Sequence, residues 1–96
     1  MIVADVSIIP MGVGESISAF VKRAIEEMRK SGVRVEIGAM STVLEANDVE
    51  SIFRAVQRAR EVVFEMGAKR VYTILRIDER RDKELSIETK ISALQG

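Results

Sequence analysis

Residues 33–46 read VRVEIGAMSTVLEA, and their pattern indicates a pair of strands. Its two halves, Val33 to Glu36 and Ser41 to Ala46, mix β-branched and polar residues as strands do. The short connection at Gly38-Ala39-Met40 predicts that the two strands pair antiparallel. Because this hairpin stands between two segments of helical periodicity, it fixes the order of elements along the whole chain.

Before the hairpin, residues 2–9 alternate as a strand, with Ile2, Ala4, Val6 and Ile8 on one face. We expect Pro10 to end that strand. The helix that follows is predicted to begin at Ser16 as its N-cap and to end at Gly32, which supplies a left-handed cap. Its charged pairs, including Arg23 with Glu27, are typical of a solvated face.

After the hairpin, Asn47 is the predicted N-cap of a second helix, with Glu50 completing a capping box and Gly67 ending it. A core stripe is expected along this helix at Val49, Ile52, Phe53, Val56, Ala59 and Val63. A fourth strand is predicted over residues 71–77, followed by a charged turn. The tail fits two interpretations, and a short helix capped by Ser86 is favoured over a strand.

The predicted order is βαββαβ with a terminal helix. This is the split βαβ order of an α+β, ferredoxin-like sandwich. We therefore expect one domain over residues 1–96, with a four-stranded antiparallel sheet and both long helices on one face.

The composition excludes several classes of function. The 96 residues carry 15 basic and 15 acidic side chains, so the net charge is zero and binding of nucleic acid by a basic surface is not expected. The sequence has no His and no Cys, which excludes His-dependent triads, thiol nucleophiles and Cys-ligated metals within the chain. We expect no catalytic residue, cofactor or metal. Neither a signal peptide nor a membrane span is recognised, so a cytoplasmic location is expected.

Polar residues are predicted on the sheet face that the helices leave uncovered. Asp5, Glu36 and Arg76 belong to this face, whereas Thr42 and Glu45 fall on opposite faces of their strand unless a bulge intervenes. Such a face is either a solvated surface or a polar pocket in which a carboxylate accepts a hydrogen bond from an aminopyrimidine. Paired catalytic carboxylates or a hard-metal site among the acidic residues is the least favoured interpretation.

Several stretches carry a resemblance to a known family. They are Ile8-Ile9-Pro10-Met11-Gly12, Val35-Glu36-Ile37-Gly38, Ser41-Thr42-Val43-Leu44-Glu45, Met66-Gly67-Ala68-Lys69-Arg70-Val71, Ile77-Asp78-Glu79-Arg80-Arg81-Asp82-Lys83 and Ser86-Ile87-Glu88-Thr89-Lys90-Ile91. In this order and spacing the chain resembles the thiamine-binding protein family with a YkoF-like ferredoxin fold.

The resemblance implies a homotetramer that binds thiamine or its hydroxymethylpyrimidine moiety without catalysis. It implies ligand-binding roles for Glu36, Thr42 and Glu45. The family's usual Pro-Met-Gly-Thr is here Ala39-Met40-Ser41-Thr42, and its Glu-Gly is Glu45-Ala46, which predicts a reshaped pocket rim.

Two functions follow as hypotheses. The first is a non-enzymatic binder of a thiamine-like molecule, and the alternative is a regulatory or structural homo-oligomer without a small-molecule ligand. A homo-oligomer is expected in both cases, because the core of so short a chain is thin. The second helix also carries apolar residues beyond its stripe, at Ala55, Val62, Phe64 and Met66, which either form an interface or are covered by the terminal element.

Overall fold

The computed structural model describes residues 1–95 and confirms the predicted order of elements. These elements are β1 (Ile2–Met11), α1 (Ser18–Lys30), β2 (Arg34–Ile37), β3 (Thr42–Ala46), α2 (Val49–Glu65), β4 (Arg70–Glu79) and α3 (Ile87–Gln95). The strands form one sheet in the order β2-β3-β1-β4, and every neighbouring pair is antiparallel. The fold is thus the expected α+β sandwich, with the tail as a helix.

The main core lies between the sheet and helices α1 and α2. The even-numbered residues of β1 face these helices because side chains alternate along a strand. They pack with Leu44 of β3, which is completely buried, and with the apolar sides of the helices. The helical contribution comprises Ala24, Ile25 and Met28 of α1 and Ile52, Ala55, Val56, Ala59 and Val63 of α2.

Helix α3 packs on the opposite side of the sheet, which we call the open face. Its first residue, Ile87, joins Leu85 and Val3 in a second, small cluster, and Val43 packs against that cluster. Since α3 lies on the open face, it does not cover α2. The molecule therefore has three layers at one end of the sheet, where α3 is present, and two at the other.

Both predicted N-caps of the long helices are wrong by one residue. Helix α1 begins at Ser18, and its N-cap, Ile17, makes no side-chain cap bond, so Ser16 is not the cap. Helix α2 is capped by Asp48 instead of Asn47, because the Asp48 carboxylate accepts a hydrogen bond from the Ser51 N–H at 2.7 Å. A carboxylate at this position also interacts favourably with the helix dipole.

Pro10 does not end the first strand, contrary to expectation. The pairing of β1 with β3 stops at Val6 and Thr42, whereas its pairing with β4 continues through Pro10 to Met11 opposite Arg70. Beyond Val6 one side of β1 is thus a free edge. A proline is tolerated there because its missing N–H costs no hydrogen bond on that side.

Glu27 is buried, although a solvated face was predicted for it. Only 2 % of the residue is exposed, between α1 and α2. Its carboxylate accepts hydrogen bonds from Arg23 Nη1 at 2.8 Å and from Arg58 Nη2 at 2.6 Å. These bonds, the one from Arg23 first, lower the pKa of Glu27 from 4.5 to about 2. The sequence pattern could not show this, because Arg58 comes from the other helix.

The lowered pKa of Glu27 predicts a pH-dependent contribution to stability. A carboxylate whose pKa falls on folding stabilises the fold above its unfolded pKa. For Glu27 that contribution fades as the pH falls from about 4.5 to about 2. We expect Glu27→Gln to melt below the wild type at pH 7, with the difference shrinking across this window. Thermal melts at several pH values measure it, and the exposed neighbour variant Glu26→Gln is the control. A difference in melting temperature between Glu27→Gln and the wild type that stays the same at all pH values contradicts the prediction.

Candidate functional site

An ion pair occupies the middle of the open face. Asp5 lies opposite Arg76 in the β1–β4 register, and the two side chains form a bidentate pair. Arg76 donates from Nε to Asp5 Oδ1 at 2.8 Å and from Nη2 to Oδ2 at 2.6 Å. The Ser41 hydroxyl also donates to Oδ2, at 3.1 Å. The bond from Arg76 holds the pKa of Asp5 below its usual range, so the carboxylate stays charged.

Helix α3 contacts the open face mainly through its first turn. Its Ile87 N–H donates to Glu45 Oε2 at 2.7 Å, so a buried carboxylate from β3 satisfies a free amide of the helix start. Ser86 caps the same turn, as predicted, through a bond from the Thr89 N–H to its hydroxyl at 3.0 Å. Two ion pairs flank the helix, Lys90 with Asp78 and Arg34 with Glu88.

A large cleft, which we call the open-face cleft, lies between α3 and the sheet. Its volume is about 930 Å³, within the range of small-molecule sites. Val3 and Val43 contribute apolar surface from the sheet, and Ile87 and Ile91 contribute it from α3. The charged residues around it are Asp5, Arg34, Glu36, Arg76, Asp78, Glu88 and Lys90. The site thus combines an apolar interior with charges of both signs.

Glu36 is one of the carboxylates of this cleft that keep an oxygen free to meet a ligand. It lines the cleft, and its side chain is 52 % exposed. Arg34 holds one of its oxygens, Oε1, by two hydrogen bonds of 3.1 and 3.0 Å. Oε2 makes no hydrogen bond within residues 1–95, so it can accept one from a bound molecule.

The three predicted ligand residues do not converge on one cavity. Glu36 and Glu45 share the open face, and Arg34 Nη1 lies 3.7 Å from Glu45 Oε2. Glu45 is 7 % exposed and holds α3, as described above. Thr42 lies on the helix-facing side of β3, since the register contains no bulge, and it is also 7 % exposed. A role in ligand binding stays a prediction for all three.

Thr42 lines a second cavity, which we call the edge cavity. Its volume is about 360 Å³, and it lies between α1, the β2–β3 turn and the free part of β1. The turn closes with a hydrogen bond from the Gly38 N–H to the Ser41 carbonyl at 3.0 Å. Ala39, one of the positions at which the chain departs from the family pattern, also lines this cavity. Ala46, the other, is buried in the main core.

Sequence reasoning missed several residues of the open-face cleft. Arg34 precedes Glu36 by two residues and so shares its face, a signal that strand alternation contains. Asp78 appeared to belong to a charged turn, but β4 extends to Glu79 and carries it into the sheet. Lys90 and Ile91 reach the cleft only because α3 folds back over the open face, which no local pattern shows.

Comparison with known proteins now identifies the family. The family of thiamine-binding proteins matches residues 4–95. The chain belongs to this family. A relative from Methanocaldococcus jannaschii, the UPF0045 protein MJ1052, is 47 % identical over 97 % of this chain and 91 % of its own length. Another, a UPF0045 protein from Methanothermobacter thermautotrophicus, is 41 % identical over 99 % of this chain and 97 % of its own length.

Solved structures agree with this family assignment. The crystal structure of MJ1052 superposes with a TM-score of 0.92, covering 98 % of this chain and 95 % of that one. A proposed thiamine biosynthesis or salvage protein from Thermotoga maritima superposes with a TM-score of 0.81, at 25 % identity and 97 % coverage of both chains. The ferredoxin-like fold of the thiamine-binding family is thus shared by this chain.

No group of three or more acidic, His or Cys side chains among residues 1–95 is placed to hold a metal ion. No helix in the same range is long and apolar enough to cross a membrane.

Proposed function

We propose that this member of the thiamine-binding family is a non-enzymatic protein that binds thiamine or its hydroxymethylpyrimidine moiety in the open-face cleft. Family membership supports a binding role, and the thiamine-related neighbour from Thermotoga maritima supports the choice of ligand. The observation that carries the proposal is the free Glu36 oxygen beside an apolar interior.

The chemistry of the cleft suits such a ligand. An aminopyrimidine carries an exocyclic amine that donates hydrogen bonds, and thiamine adds a positively charged thiazolium ring. In this proposal Glu36 Oε2 accepts from the amine, and a hydrogen bond to a charged acceptor is stronger than one to a neutral acceptor. Val3, Val43 and Ile91 offer apolar surface to the rings. Neither His nor Cys is available as a base or nucleophile, so we propose binding without catalysis. We propose the cytoplasm as the place of binding.

Isothermal titration calorimetry with thiamine and with hydroxymethylpyrimidine tests the proposal. We expect saturable heat for at least one of them with folded protein. A pyrimidine of the same shape that lacks the exocyclic amine is the matched control ligand, and it should bind more weakly. An absence of heat at millimolar concentrations of both ligands would overturn the proposal.

We also propose that the chain assembles as a homo-oligomer, and specifically as a tetramer. The part of the open face that α3 leaves uncovered exposes Tyr72 by 53 % and Ile74 by 45 %. Strand β4, ten residues long, is an edge of the sheet, and such edges readily pair with other chains. Helix α2 exposes Phe53, which was expected in the core, and Phe64, and its C-cap residue Met66 is exposed as well. These exposed apolar residues also favour the alternative function, an oligomer without a ligand.

Light scattering at micromolar concentration tests the assembly. We expect a mass near four times the 10.7 kDa of one chain. Phe64→Glu should lower that mass if α2 forms a contact, and Tyr72→Glu should lower it if the uncovered sheet does. The exposed variant Lys22→Gln, which shifts the net charge by the same one unit, serves as the control for the charge change. A wild-type protein that runs as a monomer contradicts the prediction.

A further inference from the structure

A buried carboxylate holds two arginines on the helical side of the molecule. Glu27 lies between α1 and α2, and only 2 % of the residue is exposed. Its Oε1 accepts hydrogen bonds from Arg58 Nε at 3.0 Å and from Arg58 Nη2 at 2.6 Å. Its Oε2 accepts one from Arg23 Nη1 at 2.8 Å. The two guanidinium groups are therefore close neighbours, bound to the two oxygens of one carboxylate.

Each of these guanidinium groups keeps an unused edge of N–H donors. An arginine presents five N–H groups in a rigid planar fork. Arg58 turns its Nε–Nη2 edge toward Glu27, which leaves its Nη1–Nη2 edge. Arg23 uses Nη1 alone, which leaves its Nε–Nη2 edge, and within residues 1–95 neither remaining edge has a protein acceptor. Because both side chains reach the solvent, a dissolved molecule has access to these edges.

The cluster carries more positive than negative charge. Lys30 adds a third cation, with its Nζ 3.7 Å from Glu27 Oε2. Within residues 1–95, Glu27 is the only carboxylate that pairs with Arg23 or Arg58. Three positive charges thus surround one negative charge, which leaves an excess of two. Hydrogen bonds, the one from Arg23 first, lower the pKa of Glu27 to about 2, so this excess persists at neutral pH.

We propose that Arg23, Arg58 and Lys30 form a binding site for a dianionic phosphate group, either free phosphate or a phosphate monoester. A tetrahedral phosphate has enough oxygens to accept from one edge of each guanidinium and from the ammonium group, and arginine edges bind such oxygens in pairs. Its two negative charges balance the excess of two positive charges. The site lies on the helical side of the sheet, opposite the open-face cleft, and so goes beyond the proposed function.

The burial of Glu27 distinguishes this cluster from an ordinary group of solvated charges. An exposed arginine loses side-chain freedom when it binds a ligand, and that loss weakens binding. Arg23 and Arg58 are already held from two different helices, so less freedom is lost on binding. A nucleic-acid backbone is a poorer fit, because its phosphates carry one charge each and are bound by a basic surface. This chain has no net charge.

Titration with inorganic phosphate, followed by ¹H–¹⁵N NMR of the arginine side chains, tests this site. At pH 8, above the second pKa of phosphate, we expect a saturable shift of the Arg23 Nε–H signal. The Arg76 Nε–H, which is bonded to Asp5 at 2.8 Å, is the internal control and should not shift. Methyl phosphate is the second probe. Tighter binding of methyl phosphate identifies a monoester as the ligand, and tighter binding of inorganic phosphate identifies the free ion.

Dimethyl phosphate is the matched control ligand, because it keeps the tetrahedral shape but carries one charge. It should bind at least tenfold more weakly than either dianion. Among variants, Arg58→Lys keeps a positive charge beside Glu27 but removes the free edge, so it should weaken phosphate at least tenfold. Arg29→Lys is the control, since Arg29 is exposed on α1 and makes no side-chain hydrogen bond within residues 1–95. It should bind phosphate as the wild type does.

Three results would overturn the proposal. They are an Arg23 signal that does not shift, equal binding of dimethyl phosphate, and an equal loss of phosphate affinity in Arg58→Lys and Arg29→Lys. If Arg58→Lys does not fold, the Arg23 signal of the wild type and the comparison with dimethyl phosphate still decide.

Discussion

Shortening Leu44 to alanine should lower the free energy of unfolding by about 2–5 kcal/mol, the usual range for a completely buried leucine. Leu44 is 0 % exposed and lies in the core cluster between β1 and the two long helices. Its removal leaves a cavity where the sheet and both helices meet, so the surrounding side chains cannot easily close it. Urea or thermal unfolding at fixed protein concentration measures the change.

Leu94→Ala provides a matched control, because the same atoms are removed from a residue that is 89 % exposed. We expect its effect to stay within about 0.5 kcal/mol, as for other surface substitutions. If Leu44→Ala and Leu94→Ala lowered the free energy of unfolding equally, the burial of Leu44 in the main core would be contradicted.

Glu36→Gln should weaken thiamine binding by about 10- to 100-fold. Glutamine keeps the shape of the side chain but lacks the negative charge that strengthens the hydrogen bond from the ligand's amine. Hydrogen bonds to charged groups contribute about 1.5–3 kcal/mol, and each 1.4 kcal/mol changes an affinity tenfold. Calorimetric titration of wild type and variant compares the two dissociation constants.

Glu50→Gln is the control for this loss of charge, because Glu50 is exposed on α2, away from both cavities. It should bind thiamine as the wild type does. An unchanged dissociation constant for Glu36→Gln would show that Glu36 does not bind the ligand. Equal weakening by both variants would show a general effect of net charge.

Much of the fold could be predicted, because hydrophobic alternation and glycine caps are local signals. The even-numbered residues of β1 face the core as expected, and Gly32 and Gly67 adopt positive φ angles of 87° and 107° after the two long helices. The sequence also showed that Thr42 and Glu45 fall on opposite faces. That difference follows from the two-residue period of a strand alone.

The rest depends on contacts between distant parts of the chain. Burial of Glu27 requires Arg58, which is 31 residues away, and the role of Glu45 requires the start of α3, which is 42 residues away. Continuation of β1 through Pro10 depends on where pairing with β3 stops. The apolar pattern of α2 suggested Phe53 for the core, but the buried stripe is shifted toward Ala55 and Val62, and Phe53 is 52 % exposed.

Mapping thiamine on the folded protein by ¹H–¹⁵N NMR tests directly whether it binds in the open-face cleft. Binding in the open-face cleft predicts saturable shifts at Glu36, Val43 and Ile91, which line it from β2, β3 and α3, and little change at Val21 and Ala24 in the edge cavity. An unshifted spectrum at millimolar thiamine, or shifts restricted to Val21 and Ala24, would contradict binding of thiamine in the open-face cleft.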